Sequence, residues 1–253
     1  MSYITQAEFI DDALARKCFV SSIWGIPGFV LRYCKIDWMH ASCLGVAQYV
    51  CGCAVWELFH ELGGTLTSPI GACAKLMAMI KSMSKRLDME PPIWDLTVGM
   101  FRAAATKAPK MRLKAAEGRR CLRVLREILR MCFSSADSHA DTRLACVHNL
   151  VSCYEEFDNW QDSTSPLNLK RFGRRFLLLY AELNHGAGAD SLMWRLYPKF
   201  HLFDHLVEAA ESNPKLSWNY PLESAIGDAT VIAAGCNKRH LQTALIARYA
   251  ATR

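Results

Sequence analysis

A run of residues without any Asp, Glu, Lys or Arg extends from Trp38 to Trp56 and constrains the fold more than any other feature. A helix that spans a membrane needs about 20 strongly apolar residues. This run instead contains His40, Gln48 and several small residues. We therefore expect a buried core helix of a soluble protein, with no membrane partner. Since 51% of the 253 residues are hydrophobic, the chain can form a substantial core.

Most of the remaining sequence has apolar residues at helical spacing between Pro and Gly breakers. The predicted helices cover residues 5–14, 41–62, 68–87, 113–133, 141–160, 165–185, 196–210, 221–233 and 238–249. Residues 29–36 predict one short strand that ends at Asp37. One strand among so many helices indicates either an all-α fold or a part of a larger α/β domain.

Eleven cysteines are present, and no two of them form a CxxC pair. Most lie in apolar helical stretches, and the first residues lack the basic-then-apolar pattern of a secretory signal. We therefore predict an intracellular protein in which free cysteines serve as small buried hydrophobic residues. Cys51 and Cys53 are two apart on a predicted helix, so their side chains should diverge and form a poor metal site.

Positive charge is concentrated in one segment, although the net charge of the chain is only +6. Residues 107–130 contain nine basic residues, opposed only by Glu117 and Glu127. This pattern predicts an exposed basic face that binds DNA without strong sequence preference. The residues expected to contact nucleic acid are Lys110, Arg112, Lys114, Arg119, Arg120 and Arg123. The alternative is an ordinary solvated helix face.

Asp37 and Glu223 are candidates for metal-binding carboxylates. Asp37 follows the predicted strand, where a carboxylate would sit at the open edge of a sheet. It equally fits the N-cap of the helix that begins near His40. Glu223 lies in the first turn of the helix that Pro221 starts, a position that the helix dipole alone also favours.

His201 and His205 are four residues apart and therefore share one face of a predicted helix. The pattern His-x-x-Asp-His is similar to the His-x-x-Glu-His motif of inverted zinc peptidases, with Asp204 in place of Glu. A helical zinc metallohydrolase is thus one hypothesis. The other is that both histidines pack at a helix edge.

Several of these segments, taken in order, resemble the CACTA-type (En/Spm-like) transposases of plants and fungi. Asp-x-Met-His-x-x-x-Leu-Gly-Val at 37–46 resembles their second-acid segment, and Trp-x-Tyr-Pro-Leu-Glu-x-x-x-Gly at 218–227 resembles their third-acid segment. Pro-Lys-Phe-His with the following His-Leu at 198–206, and the basic stretch 109–117, are similar to segments between those acids. The resemblance covers residues 20–250.

The resemblance implies a three-acid, RNase H-like catalytic domain that cleaves and transfers DNA strands in the nucleus. Asp37 would match the second acid and Glu223 the third, and both would hold Mg²⁺ or Mn²⁺. Candidates for accessory groups near the metal are His40, Lys199, His201 and His205. The implied fold is predominantly α, with a helical bundle-like insertion attached to a partial RNase H-like α/β core.

The match departs from the family at the first acid, since Asp11 and Asp12 fall in a predicted amphipathic helix rather than a strand. We therefore expect a truncated, C-terminal part of such a transposase. Residues 1–62 would be a partial core, 63–195 the helical insertion, and 196–253 the third-acid motif with C-terminal helices. We expect the chain by itself to be inactive, and to be marginally stable or to self-associate. The alternative is a non-enzymatic helical module that binds DNA or protein.

Overall fold

The computed structural model describes residues 15, 36–102, 104, 106–132, 137–216 and 218–219. The helices of this part are a π-helix over Met39–Val46, then α1 (Ala47–Glu61), α2 (Ile70–Arg86), α3 (Val98–Phe101), α4 (Ala115–Met131), α5 (Ser138–Asp158), α6 (Ser165–Ala187) and α7 (Pro198–Glu208), and a 3₁₀-turn over Pro214–Leu216. Within the described ranges there is no β-strand, so the predicted predominantly helical character is confirmed. The RNase H-like core stays a prediction.

The predicted helices between residues 41 and 210 are all present, with ends that differ by a few residues. Helix α5 begins earlier than predicted because the Asp137 side chain caps it, accepting hydrogen bonds from the backbone N–H groups of His139 and Ala140. Pro166 and Pro198 lie in the first turns of α6 and α7, where no donor is required. The predicted helices at 5–14, 221–233 and 238–249, and the strand at 29–36 except its last residue, lie outside the described residues.

The chain divides into two compact units, residues 1–36 and 37–253. Parts of all three predicted segments contribute to the second unit, and the predicted domain boundaries stay a prediction. In this unit α1 packs against α2, α3, α4 and α5. The π-helix packs against α4 and α7, and α5 packs most extensively against α6. This arrangement brings residues 37–46 and 198–208 side by side.

The stretch Met39–Glu61 is the predicted core helix. Its length and mean hydropathy of 1.3 would by themselves allow it to cross a membrane, but 78% of its apolar window is buried inside the protein. Most of its side chains are buried, since the π-helix packs against α4 and α7 and helix α1 packs against α2, α3, α4 and α5. The prediction of a buried core helix is therefore confirmed.

The cysteines of the described ranges are free thiols, and seven of these eight are buried. Their predicted role as small buried hydrophobic residues is confirmed for those seven. Cys132 is the exposed one. Burial raises the pKa of the Cys53 thiol to about 12, which keeps the thiol neutral and unreactive at neutral pH.

Candidate functional site

The carboxylate of Asp37 lies at the start of the π-helix and caps it. Oδ2 accepts a hydrogen bond from the backbone N–H of His40 at 3.0 Å and also contacts His40 Nδ1. Oδ1 accepts from the backbone N–H of Met39 at 3.3 Å. The capping role that the sequence allowed for Asp37 is therefore present. The side chain is 14% exposed, so it remains reachable from solvent.

Asp37 also joins two segments that are distant in sequence. Its Oδ1 atom accepts a hydrogen bond from the backbone N–H of Asn219 at 3.0 Å, across 182 residues of chain. Asn219 belongs to the segment that carries Glu223. Glu223 itself lies outside the described residues, and its approach to Asp37 stays a prediction.

Lys199 connects helix α7 to the π-helix. Its ammonium Nζ donates hydrogen bonds to the backbone carbonyls of His40 at 3.0 Å and Leu44 at 3.2 Å. The lysine side chain passes directly over Gly45, where an added Cβ would clash with Lys199 Cδ. Lys199 was predicted from the sequence as an accessory group, whereas Gly45 was not among the predicted site residues. An isolated glycine inside a predicted helix was the available signal, since glycine weakens a helix and at the same time allows a close approach.

The structure thus brings together three of the segments that carry the transposase resemblance. Lys199 and Asn219 each donate hydrogen bonds directly to the segment 37–46. A π-helix is rare, and where it occurs it is frequently at a functional site. Together these features define a candidate site, the Asp37 junction, which consists of Asp37, His40, Gly45, Lys199 and Asn219.

His201 and His205 lie on one face of α7, as predicted, with their Nε2 atoms 3.0 Å apart. At this distance one imidazole donates a hydrogen bond and the other accepts it, so the two Nε2 atoms are hydrogen-bond partners of each other. Zinc in a catalytic site takes three protein ligands. Within the part of the chain that the structure describes, no group of three or more His, Cys, Asp or Glu side chains could hold a metal ion. The zinc hypothesis has two ligands at most from these residues.

The predicted basic face on α4 is largely paired with carboxylates. Arg119 and Arg123 both contact Asp158, and Arg120 lies 3.0 Å from Glu90. The three arginine side chains are between 18% and 33% exposed. They are therefore half-buried, and their contact with nucleic acid stays a prediction.

The surroundings of Asp158 still carry excess positive charge, because Lys215 joins Arg119 and Arg123 around this one carboxylate. Burial alone would raise the pKa of Asp158. The hydrogen bond from Lys215, the charge of Arg119 and the hydrogen bond from Arg123 together outweigh burial and lower this pKa. The Arg119 guanidinium also lies over the Trp218 ring, 5.1 Å from its centroid.

The other predicted DNA-contacting residues precede α4. Buried and outward side chains alternate here: Met111 and Leu113 are buried, whereas Arg112 and Lys114 are exposed. Lys110 is half-buried and is not among the ion-paired residues of the described ranges. The six residues predicted to form one face therefore divide into a paired group on α4 and a group before it.

A partly buried network around Glu57 was not predicted from the sequence. Its carboxylate accepts hydrogen bonds from Arg143 at 2.9 Å and from Trp194 Nε1 at 2.6 Å, and His139 lies 3.1 Å away. Arg143 also binds Glu61 at 2.7 Å. These partners are far apart in sequence, so no local pattern indicates them. The network links α1, α5 and the loop before α7.

Comparison with known proteins finds no matching family model, no matching curated protein and no matching solved structure.

Proposed function

We propose that this chain is a CACTA-transposase-like protein, derived from an RNase H-like enzyme that cleaves and transfers DNA strands, and that it is inactive by itself. The observation that supports this most is the hydrogen bond from Asn219 N–H to Asp37 Oδ1. The second-acid and third-acid segments of such an enzyme must meet at one metal site. Here the two segments that resemble them are in contact.

The residues that would hold a divalent cation are Asp37 and Glu223. Bound Mg²⁺ or Mn²⁺ would activate a nucleophile and stabilise the leaving oxygen in a displacement at phosphorus. Both Asp37 oxygens already accept hydrogen bonds within the chain. Two cations about 3.5–4 Å apart concentrate four positive charges. Two carboxylates fit one weakly held cation and do not fit such a pair.

The Lys199 contact supports the same proposal from the second motif. The ammonium group is held by two carbonyls of the π-helix, and the capping carboxylate of Asp37 begins that helix. Lys199 therefore orients the segment that presents Asp37. Its role in this proposal is to position the acid rather than to contact DNA.

A second candidate is a non-enzymatic helical module that binds DNA or protein in the nucleus. It is favoured by the same hydrogen bonds of Asp37, because a helix cap needs no metal. The excess positive charge around Asp158 is consistent with contact to a polyanion. The two candidates differ in whether the Asp37 junction binds a cation.

Binding of Mn²⁺, measured by electron paramagnetic resonance during titration of the full chain, distinguishes them. The proposal expects one weak Mn²⁺ site that is lost in both Asp37→Asn and Glu223→Gln. Asparagine is as good an N-cap as aspartate, so Asp37→Asn preserves the helix start. Asp190→Asn, which removes an exposed carboxylate of the loop before α7, is the matched control and should keep the site.

Equal Mn²⁺ binding by the wild type and both variants would overturn the proposed metal site. Absence of Mn²⁺ binding, with DNA binding retained, would leave the non-enzymatic module as the function. Loss of binding in only one of the two variants would show that Asp37 and Glu223 do not share a cation.

A further inference from the structure

A cavity of about 300 Å³ lies beside α1, between the segment that precedes α4 and the loop that precedes α7. Cavities of this size hold small ligands. Two tyrosines and four cationic side chains are part of its wall. They are Tyr49, Lys107, Lys110, Arg112, Arg195 and Tyr197.

The basic wall of the cavity is held rigidly. The backbone N–H of Met111 donates to the Gln48 carbonyl at 2.8 Å, and the Gln48 side chain donates to the Leu113 carbonyl at 2.6 Å. Gly52 lets this segment lie directly on α1, since a Cβ there would be 2.5 Å from the Lys110 nitrogen. Lys110 and Arg112 are therefore presented by a backbone that is fixed before any ligand binds.

The four cations of the cavity lack the carboxylate partners that neutralise the α4 arginines. Among the residues that the structure describes, Lys107, Lys110, Arg112 and Arg195 form no ion pair, and no Asp or Glu lines the cavity. Burial, with the nearby charges of Lys199 and Arg112, lowers the pKa of Lys110. Positive charge is thus concentrated at a concave surface, where it costs stability unless an anion binds.

The two tyrosines give the cavity an aromatic wall. Tyr49 and Tyr197 are stacked, with ring centroids 4.3 Å apart and an interplanar angle of 16°. The Lys110 ammonium lies over the Tyr49 ring, 5.1 Å from its centroid. Positive charge combined with aromatic faces is the arrangement by which proteins bind single-stranded nucleic acid, with phosphate on the cations and bases against the rings.

We propose that this cavity binds a nucleotide through its phosphate group, either as a free nucleotide or as a unit of a DNA strand. The cations Lys107, Lys110, Arg112 and Arg195 contact the phosphate, and Tyr197 contacts the attached nucleoside. The choice of a nucleotide among phosphorylated ligands rests on the proposed DNA-related function. The phosphate recognition rests on the cavity alone.

The test uses the full chain in EDTA, so that no metal site contributes. Fluorescence anisotropy measures the binding of a labelled ten-nucleotide oligothymidylate. Calorimetry measures the binding of thymidine monophosphate, inorganic phosphate and thymidine. We expect the three phosphate-bearing ligands to bind and thymidine to fail. The double variant Lys110→Gln/Arg112→Gln should weaken oligonucleotide binding about tenfold or more. It should also reduce the slope of log affinity against log salt concentration by roughly 1 to 2, which corresponds to one or two lost phosphate contacts.

Matched variants distinguish the loss of positive charge at the cavity from the same loss elsewhere on the protein. Lys75→Gln/Lys81→Gln removes the same charge from exposed positions of α2 and should change affinity by less than about twofold. Tyr197→Ala should weaken binding of the monophosphate and the oligonucleotide but leave inorganic phosphate unchanged. Tighter binding of the oligonucleotide than of the monophosphate identifies a DNA strand as the ligand, and the reverse identifies a free nucleotide.

Two results would overturn the inference. One is oligonucleotide binding that is unaffected by Lys110→Gln/Arg112→Gln but lost in Arg119→Gln/Arg123→Gln, which would place DNA on α4 instead. The other is failure of every phosphate-bearing ligand to bind. Nucleotide binding at the cavity without any Mn²⁺ site would refute the proposed transposase-like metal site and leave the inference standing.

Discussion

Lys199 passes over Gly45 of the π-helix and donates from its ammonium group to two carbonyls that precede that glycine in the chain, those of His40 and Leu44. Any side chain at residue 45 would occupy the path of the lysine. The glycine of one motif and the lysine of another, 154 positions further along the chain, are therefore parts of one contact. This contact holds α7 against the helix that Asp37 begins.

Gly45→Ala should lower the free energy of unfolding by about 1–3 kcal/mol, the usual cost of overpacking a tight contact. The added Cβ would clash with Lys199 Cδ and lie 3.2 Å from the His40 carbonyl oxygen. Gly71→Ala is the control, because a Cβ at Gly71 meets nothing within 4 Å and alanine favours the helix by up to about 1 kcal/mol. Urea denaturation measures both. Equal stabilities of the two variants would contradict the contact.

Asp158→Asn should destabilise the protein by about 1 kcal/mol at neutral pH, a small effect since the carboxylate is 31% exposed and screened by solvent. The pKa of Asp158 is lower when folded. Its contribution is therefore present above the unfolded pKa and disappears as pH falls through the folded pKa. We expect the difference between wild type and variant to shrink as pH falls below about 4. A difference that grows on acidification would refute this.

Arg143→Met should destabilise the protein by about 3 kcal/mol, because it leaves Glu57 and Glu61 without their buried cation. The Arg143 side chain is 5% exposed. Burial lowers the pKa of its guanidinium, but the hydrogen bonds that it donates to Glu61 and Glu57, together with the charges of those carboxylates, raise this pKa above the ordinary value. Arg174→Met is the control, since Arg174 is 64% exposed in its pair with Glu208 and its loss should reduce stability far less. Thermal denaturation of both variants checks the contrast.

The chain alone should not nick supercoiled plasmid DNA in Mg²⁺ or Mn²⁺. Two carboxylates leave most of the charge of a cation pair without protein ligands, and the Asp37 oxygens are already engaged in hydrogen bonds. Gel electrophoresis of the plasmid after incubation with purified protein is the measurement. Metal-dependent nicking that Glu223→Gln abolishes would contradict the expectation and show a complete catalytic site.

The helices between residues 41 and 210 were predictable because their signals are local. Apolar residues recur at helical spacing, and Pro69, Pro166 and Pro198 mark the helix starts to within a residue or two. The capping role of Asp37 was predictable for the same reason, since its partners Met39 and His40 follow it directly.

The arrangement of the basic segment could be predicted from the sequence only in part. The run of basic residues is visible in the sequence. Which of them form ion pairs is not, because Asp158 and Glu90 come to α4 from distant parts of the chain. Lys110 and Arg112, which precede α4, share one cavity with Tyr49, Tyr197 and Arg195, and only helix packing brings these residues together. No spacing in the sequence encodes these distances.

The sequence alone therefore determined that the described chain is helical, that residues 39–61 lie in the core, and that residues 107–130 carry excess positive charge. Periodicity, capping and composition decide these properties within a few residues of chain. Only the tertiary structure decided that Asn219 binds Asp37, that Lys199 crosses Gly45 and that four cations share one cavity with two tyrosines. Those contacts depend on how the buried faces of separate helices pack, and packing is a property of the whole core.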